Sequence, residues 1–188
     1  MPIALRRTES IPDVVVVEPQ VIPDARGKFF ESYRQDVFNQ FGIHVQFVQD
    51  NYSYSSFKGS VRGLHYQIPP HAQAKLIHVL RGKIYDVAVD LRRASPTFGK
   101  HVAVELSEQN HWALYIPEGF AHGFQTLEDD TAVLYKVSRF YAPHHERGVR
   151  WNDPALGIQW PGPPPSTPQQ LTDRDRQYPL LKEAVYFP

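Results

Sequence analysis

Short runs in which apolar and polar residues alternate constrain the fold of this chain more than any other feature. In the run 84–91, Tyr85, Val87 and Val89 share one face of a strand, and the residues between them share the other. The same alternation recurs over 101–106, 111–116 and 131–137. Turn signals separate such runs, and the chain has 17 prolines but no long helical pattern. The pattern predicts an all-β, antiparallel sandwich or barrel.

Local patterns predict how some of these elements connect. Residues 76–80 and 84–91 flank Arg81-Gly82-Lys83, a spacing that predicts a β-hairpin. Apolar residues at helical spacing over 36–41 predict one short peripheral helix, and 172–177 predicts another.

Composition narrows the class of protein. A length of 188 residues predicts one domain, 1–188, in which the proline-rich connector 160–168 leads to a C-terminal helical segment. Twenty basic and twenty acidic residues cancel, which argues against a non-specific nucleic-acid or membrane surface. The absence of cysteine excludes disulfides, thiolate metal sites and cysteine nucleophiles. With no apolar signal region in residues 1–10 and no membrane-length apolar run, we expect a cytoplasmic protein.

Three cationic or titratable residues cluster in a stretch otherwise typical of a sheet. Arg62, His65 and Lys75 together indicate a pocket for an anionic substrate with a group that moves a proton. Taken alone, His65 is explained by a structural histidine, and Lys75 by a solvated lysine at a strand start. Arg62 and His65 would point to opposite faces of a regular strand, so a shared pocket requires a bulge or bend at Gly63.

The segment Pro117-Glu118-Gly119-Phe120-Ala121-His122 has the P-x-G-x-x-H form that resembles the second motif of the cupin fold. In metal cupins this histidine joins an H-x-H pair and a glutamate from upstream. Here the upstream segment offers only His65, and the adjacent His144 and His145 would point apart. A metal needs three or four converging ligands, so we expect a cupin-like barrel without a catalytic metal.

Two residues far along the chain each have two interpretations. Tyr135 lies between Val133 and Val137 on one strand face, as a core tyrosine or a catalytic one would. Asp175 ends a T-x-x-D sequence that begins at Thr172, which is the form of a helix capping box. Local sequence favours the capping role for Asp175.

Taken together, these residues closely resemble the dTDP-4-dehydrorhamnose 3,5-epimerase family, and the resemblance covers nearly the whole chain. The motifs that carry it, in the family's order, are Asp24-x-Arg26-Gly27-x-Phe29, Phe47-Val48-Gln49-Asp50-Asn51, Arg62-Gly63-Leu64-His65-Tyr66-Gln67, Lys75-Leu76, Asp86 to Arg92, Ser95-Pro96-Thr97-Phe98-Gly99, Ile116 to Phe124, Leu134-Tyr135-Lys136 and Trp151-Asn152-Asp153. The resemblance implies a cupin-like antiparallel jelly roll with a few short peripheral helices, no cofactor and no metal. It also implies a homodimer whose N-terminal strands exchange.

The resemblance also implies roles for individual residues. His65 matches the catalytic base, Tyr135 the proton donor, and Lys75 the charge beside the C4 oxygen of the sugar. Asp175 matches the carboxylate that orients His65, with Asp173 as a nearby rival. The positions that match contacts to the sugar nucleotide are Arg26, Glu31, Gln49, Asn51, Arg62, His122, Glu146 and Arg174. Of these, Arg26 and Glu31 are expected to serve the partner's site.

The function implied is epimerisation of C3 and C5 of dTDP-4-dehydro-6-deoxy-D-glucose to dTDP-4-dehydro-L-rhamnose, through an enolate. An epimerase that inverts only C3 or only C5 of a related keto sugar would share these motifs. A non-catalytic cupin that binds a sugar nucleotide is the alternative from another class. The combination of a base, an acid and a lysine argues against it, since a binding protein needs no acid–base pair. A metal-dependent cupin is disfavoured by the missing ligand set.

Overall fold

The structure is a computed structural model that describes residues 3–188, so the first two residues of the predicted domain lie outside it. Two short α-helices accompany thirteen β-strands in this part of the chain. The strands are β1 Ile3–Arg7, β2 Val15–Pro19, β3 Ile22–Asp24, β4 Gly27–Phe29, β5 Gln49–Ser55, β6 Val61–Gln67, β7 Lys75–Arg81, β8 Lys83–Asp90, β9 His101–Ser107, β10 Ala113–Ile116, β11 Phe120–Thr126, β12 Thr131–Val137 and β13 Glu146–Gly148. The helices are α1 Gln35–Gln40 and α2 Asp173–Gln177.

Two antiparallel sheets pack face to face around the main core. The six-stranded sheet has the order β1-β2-β10-β7-β12-β5, and the five-stranded sheet has the order β13-β6-β11-β8-β9. Alternate residues of both sheets meet between them, where Ile77 and Val133 from one sheet pack with Ile84 and Phe124 from the other. The predicted all-β, cupin-like jelly roll with short peripheral helices is therefore confirmed.

The predicted hairpin between residues 76–80 and 84–91 is wrong. β7 pairs with β10 and β12, whereas β8 pairs with β9 and β11 in the other sheet. Gly82, the single residue between the two strands, has φ +76°, and the chain crosses there from one sheet to the other. Local turn residues resemble those of a hairpin, but β8 is buried on both faces over most of its length, and such a strand needs cover on each side.

Both predicted short helices are present. The first begins one residue earlier than expected, and Gly42 follows it with φ +87°, a conformation that glycine adopts readily. The second starts at Asp173, and the hydroxyl of Thr172 accepts a hydrogen bond from the Asp175 N–H at 3.2 Å.

The C-terminal segment places α2 at one end of the two sheets. The buried side chain of Gln125 exchanges hydrogen bonds with Gly162 N–H and Pro163 O, which hold the proline-rich segment against the five-stranded sheet. Further along, Gln170 O accepts from Val61 N–H, so the chain reaches the start of β6 just before α2 begins. Within residues 3–188, no helix has the length and apolarity that a membrane crossing requires.

Candidate active site

A β-bulge at Gly63 brings two of the predicted site residues together. On β11, His122 pairs with His65 and Phe124 pairs with Arg62, so two steps on β11 match three steps on β6. The extra residue is taken up where Gly63 has φ +125°, and a Cβ there would lie 2.6 Å from the Gly123 Cα atom. The bulge required by the sequence is present, and both Arg62 and His65 line one cavity.

This cavity, of about 570 Å³, opens between the two sheets at the end covered by α2. Ten of the twelve residues singled out from the sequence line it: Gln49, Asn51, Arg62, His65, Lys75, His122, Tyr135, Glu146, Arg174 and Asp175. They come from six strands and one helix, and only the packing of the two sheets brings these elements together.

His65 forms a close pair with Asp175 from α2. Its Nε2 lies 2.8 Å from Asp175 Oδ1, and the other carboxylate oxygen accepts from the Gly63 N–H at 3.3 Å. Burial by itself would raise the pKa of Asp175, but His65, the Gly63 N–H and the charge of Arg174 together outweigh burial and lower that pKa. The rival carboxylate Asp173 is exposed. The local preference for a capping role is wrong for the Asp175 side chain, because its carboxylate is engaged by His65 and Gly63.

Lys75 is buried at the inner end of the cavity and is not solvated. Its Nζ donates a long hydrogen bond of 3.4 Å to the His65 carbonyl. Burial lowers its pKa to about 8, although the negative charges of Asp86 and Glu146 partly oppose that shift. The site therefore holds a lysine that can be protonated or neutral near physiological pH.

His122 lines the same cavity and is held from behind by Asp86. The His122 Nε2 atom lies 2.6 Å from Asp86 Oδ1, and both side chains are buried. Burial is the main cause that lowers the pKa of His122, and it outweighs the opposing effect of Asp86. The imidazole is thus neutral over a wide range of pH.

Tyr135 faces His65 from the opposite sheet. It lies on β12 beside Asn51 of β5, whereas His65 belongs to the five-stranded sheet. Burial raises the pKa of Tyr135 above its usual value, so the phenol keeps its proton. Within residues 3–188 its hydroxyl has no hydrogen-bond partner, whereas the core tyrosine Tyr66 donates to Val185 O at 2.6 Å.

Polar and charged groups line the outer part of the cavity. Arg62 is held rigidly, because its guanidinium donates to Ser55 Oγ at 3.0 Å and to Tyr54 O at 2.7 Å. Glu146 accepts from the hydroxyl of Tyr141 at 2.7 Å and from Arg174 Nη1 at 3.0 Å. A fixed guanidinium, an aromatic ring and a carboxylate that line one cavity suit a ligand with phosphates and a polar ring.

Arg26 and Glu31 lie outside this cavity. Arg26, on the β3–β4 hairpin, pairs with Asp24 at 2.6 Å, and its side chain is 91% exposed. Glu31 lies 3.7 Å from Arg34 on the chain that leads into α1. These two residues contribute nothing to the site of their own chain.

Three residues of the site were missed as functional candidates. Asp86 supports His122, Tyr141 binds Glu146, and the ring of Tyr178 packs edge-on against His65 at 5.6 Å between centroids. The one signal was the alternation in β8, which placed Asp86 on the strand face shared by Ala88 and Asp90 without showing that this face points inward. Tyr141 and Tyr178 lie in irregular segments and gave none.

Among residues 3–188, no three histidine, aspartate or glutamate side chains converge as the ligands of a metal ion would.

Comparisons with known proteins agree with this geometry. The family model described as dTDP-4-dehydrorhamnose 3,5-epimerase matches residues 8–183. A curated protein of that description from Shigella flexneri is 49% identical over 178 residues, covering 94% of this chain and 96% of the relative. The Bacillus anthracis enzyme of the same description, solved with TDP and PPi bound, is 47% identical with a TM-score of 0.89, covering 95% of this chain and 99% of that one. A Legionella pneumophila epimerase solved with dTDP-4-keto-L-rhamnose is 40% identical with a TM-score of 0.90, covering 96% and 94%.

Proposed function

Because the chain belongs to the dTDP-4-dehydrorhamnose 3,5-epimerase family, we propose that it inverts C3 and C5 of dTDP-4-dehydro-6-deoxy-D-glucose to give dTDP-4-dehydro-L-rhamnose. The observation that carries this proposal is the placement of His65 and Tyr135 on opposite sheets across one cavity. An epimerase must remove a proton from one face of a carbon and return a proton to the other face. A base and an acid on opposite walls meet that need.

His65 acts as the base in this proposal. The ketone at C4 makes the hydrogens on C3 and C5 acidic, because each lies on a carbon next to the carbonyl and its removal gives an enolate. A neutral imidazole, with a reference pKa of about 6.5, accepts such a proton. The carboxylate of Asp175, 2.8 Å from the His65 Nε2 atom, orients the ring and stabilises the imidazolium that forms.

Lys75 and Tyr135 complete the reaction. The ammonium of Lys75 stabilises negative charge on the C4 oxygen, and such electrostatic support for an oxyanion is commonly the largest contribution to catalysis. Tyr135 then delivers its proton to the face opposite His65. Its raised pKa supports the role of a proton donor over that of a base. Every step uses groups of the chain itself, and we propose that no cofactor or metal takes part.

The outer residues bind the nucleotide part of the substrate in this proposal. Arg62, fixed by two hydrogen bonds, contacts the diphosphate in a fork. Gln49, Asn51, Glu146 and Arg174 contact the sugar and the base, and the buried His122, further inside the cavity, contacts the sugar. The Bacillus anthracis relative was solved with TDP and PPi bound, which supports a nucleotide diphosphate as the ligand of this cavity.

We also propose a homodimer in which the N-terminal strands are exchanged. Arg26 and Glu31 lie outside the cavity of their own chain, as residues that serve the partner's site would. The exposed aromatic ring of Phe29 on the same hairpin is consistent with a surface that a second chain covers. The cytoplasmic location stays a prediction from the sequence.

The test is to incubate the protein with dTDP-4-keto-6-deoxyglucose in deuterium oxide and to follow C3 and C5 separately by NMR. We expect deuterium at both carbons and the L-rhamno product. Deuterium at only one carbon would show a mono-epimerase, and no exchange at either would contradict an epimerase.

Variants of the two acid–base residues sharpen the test. His65→Ala should abolish exchange while the fold stays intact, and retained exchange would contradict its role as the base. Tyr135→Phe should impair the stereochemical outcome more than proton removal, and equal losses would point to another role. Tyr115→Phe is the matched control. Tyr115 lies on β10 of the same six-stranded sheet as Tyr135, but it packs in a different apolar cluster.

A further inference from the structure

Asp86 is a buried carboxylate whose presence stability alone does not explain. It lies in the middle of β8 with no exposed surface. One oxygen, Oδ1, is 2.6 Å from His122 Nε2, whereas Oδ2 is buried with no hydrogen-bond partner within residues 3–188. Burying an oxygen of a carboxylate without a partner costs free energy, and such groups are concentrated where they serve a function.

The register of the sheet directs this carboxylate toward the site. On β11, His122 pairs with Ala88 of β8 on one side and with His65 of β6 on the other. Asp86 lies two residues from Ala88 on the same inward face, next to His122. An ionised carboxylate only accepts hydrogen bonds, so the proton of His122 resides on Nε2. The Nδ1 atom is then the nitrogen left for the cavity.

Lys75 reaches the same place from the other sheet. The titratable groups that surround it come from β6, β8, β11, β12 and β13, and they are His65, Asp86, His122, Tyr135 and Glu146. Only two of them, Asp86 and Glu146, carry negative charge, and Asp86 has the larger effect on Lys75. Glu146 is in addition engaged by Arg174. Asp86 is therefore the main counter-charge that the fold provides for this lysine.

We propose that Asp86 is a positioning residue for the reaction: it holds His122 with the proton on Nε2 and supplies the buried negative charge that keeps Lys75 an ammonium. Asp86 itself does not touch the substrate. The link from Asp86 to catalysis rests on the proposed function, because it is the enolate that needs the ammonium. The link from Asp86 to the ionisation of Lys75 and His122 does not.

The first test measures that ionisation directly in the ligand-free protein. The chain has seven lysines, so labelling with [ε-¹³C]lysine gives a simple spectrum in which Lys75 is assigned from Lys75→Arg. Asp86→Asn keeps the shape of the side chain and removes its charge. We expect the Lys75 titration midpoint to fall by about one pH unit in this variant, since a lost opposite charge disfavours the ammonium.

The matched control is Asp90→Asn. Asp90 lies on the same strand and is equally buried, but it binds Arg92, Ser95 and Thr97 away from the cavity. We expect no change of the Lys75 midpoint in this variant. An unchanged midpoint in Asp86→Asn, or an equal shift in both variants, would overturn the proposal.

A second readout covers the case in which Asp86→Asn does not fold. A long-range ¹H–¹⁵N spectrum of the unmodified protein reports which nitrogen of His122 carries the proton. We expect protonated Nε2, and protonated Nδ1 would overturn the proposal.

The kinetic consequence is a shift in the pH profile. Lys75 loses its proton at a lower pH in Asp86→Asn. The alkaline limb of the kcat–pH profile should therefore shift to lower pH by the same amount as the NMR midpoint. A merely structural role would lower kcat equally at every pH and leave the limb in place, which would contradict the proposal. Failure of the unmodified protein to turn over the substrate would contradict the proposed function only, since the NMR measurements need no substrate.

Discussion

At the scale of single residues, the chemistry depends on neighbours that come from distant parts of the chain. Asp173 and Asp175 are two residues apart in one short helix, yet one is exposed and the other is buried against His65. Residue type therefore says little about the role of either aspartate. Its position on the helix relative to the cavity determines that role.

This difference gives a paired prediction. Asp175→Asn should reduce proton exchange by roughly 10²–10⁴-fold, because His65 loses the charge that stabilises its imidazolium. Asp173→Asn should remain within about twofold of the unmodified protein, as an exposed substitution. Exchange rates in deuterium oxide measure both. Similar losses in the two variants would contradict the assignment of the orienting carboxylate to Asp175.

A second prediction at this scale concerns His78, which is buried on the outer face of β7. Burial, with a smaller effect of Lys136, lowers the pKa of His78 to about 4. The unfolded chain, with a histidine pKa of about 6.5, binds the proton more readily than the folded one does. The contribution of neutral His78 to the free energy of unfolding is therefore complete above about pH 6.5. It falls by up to about 3 kcal/mol as the pH decreases toward 4.

Replacing this histidine should remove that part of the pH dependence. Urea unfolding of His78→Leu, measured between about pH 4 and pH 7, should show a flatter curve than the unmodified protein. His44→Leu, at an exposed position, is the control and should not flatten the curve. Parallel curves for His78→Leu and the unmodified protein would contradict the prediction.

At the scale of elements, the bulge in β6 is the feature that brings Arg62 and His65 into one cavity. The sequence already required it, because Arg62 and His65 are three residues apart and a regular strand would separate them. The contact that holds it is tertiary: the backbones of Gly63 and Gly123 approach so closely that neither residue has room for a side chain. Sequence spacing alone could not show that β11 is the strand on the other side.

Gly63→Ala should therefore impair both stability and function. The added Cβ would lie 2.8 Å from His122 O as well as close to Gly123, and φ would remain unfavourable. We expect a loss of about 2–4 kcal/mol in urea unfolding, together with reduced exchange activity. Gly42→Ala has a similar positive φ but no atom within 4 Å of the new Cβ. It isolates the effect of backbone strain, and an equal loss there would exclude the close contact as the cause.

At the scale of the whole molecule, the crossing at Gly82 makes consecutive strands part of two different sheets. The cavity exists because of such crossings, since they place Lys75 and Tyr135 on one wall and His65 and His122 on the other. In the homodimer that we propose, Arg26 and Glu31 of each chain serve the site of the other chain.

Complementation tests that assignment. Arg26→Ala and His65→Ala are each expected to be impaired alone. When the two chains are co-expressed, a mixed dimer should contain one site with both residues intact, so about a quarter of the unmodified activity should return. Epimerase assays of the co-purified mixture measure this. If Arg26 acted within its own chain, no mixed dimer would contain a complete site, and activity would not return.

The sequence by itself determined the all-β class, both short helices and the need for a bulge at Gly63, because alternation, helix signals and strand geometry are local properties. Motifs in the family's order also determined ten of the residues that line the cavity. Only the tertiary structure decided that β7 and β8 belong to different sheets, that Asp175 and not Asp173 contacts His65, and that Asp86 stands behind His122. Those outcomes depend on which distant strands pair and on which side chains the packing buries, and no local pattern encodes them.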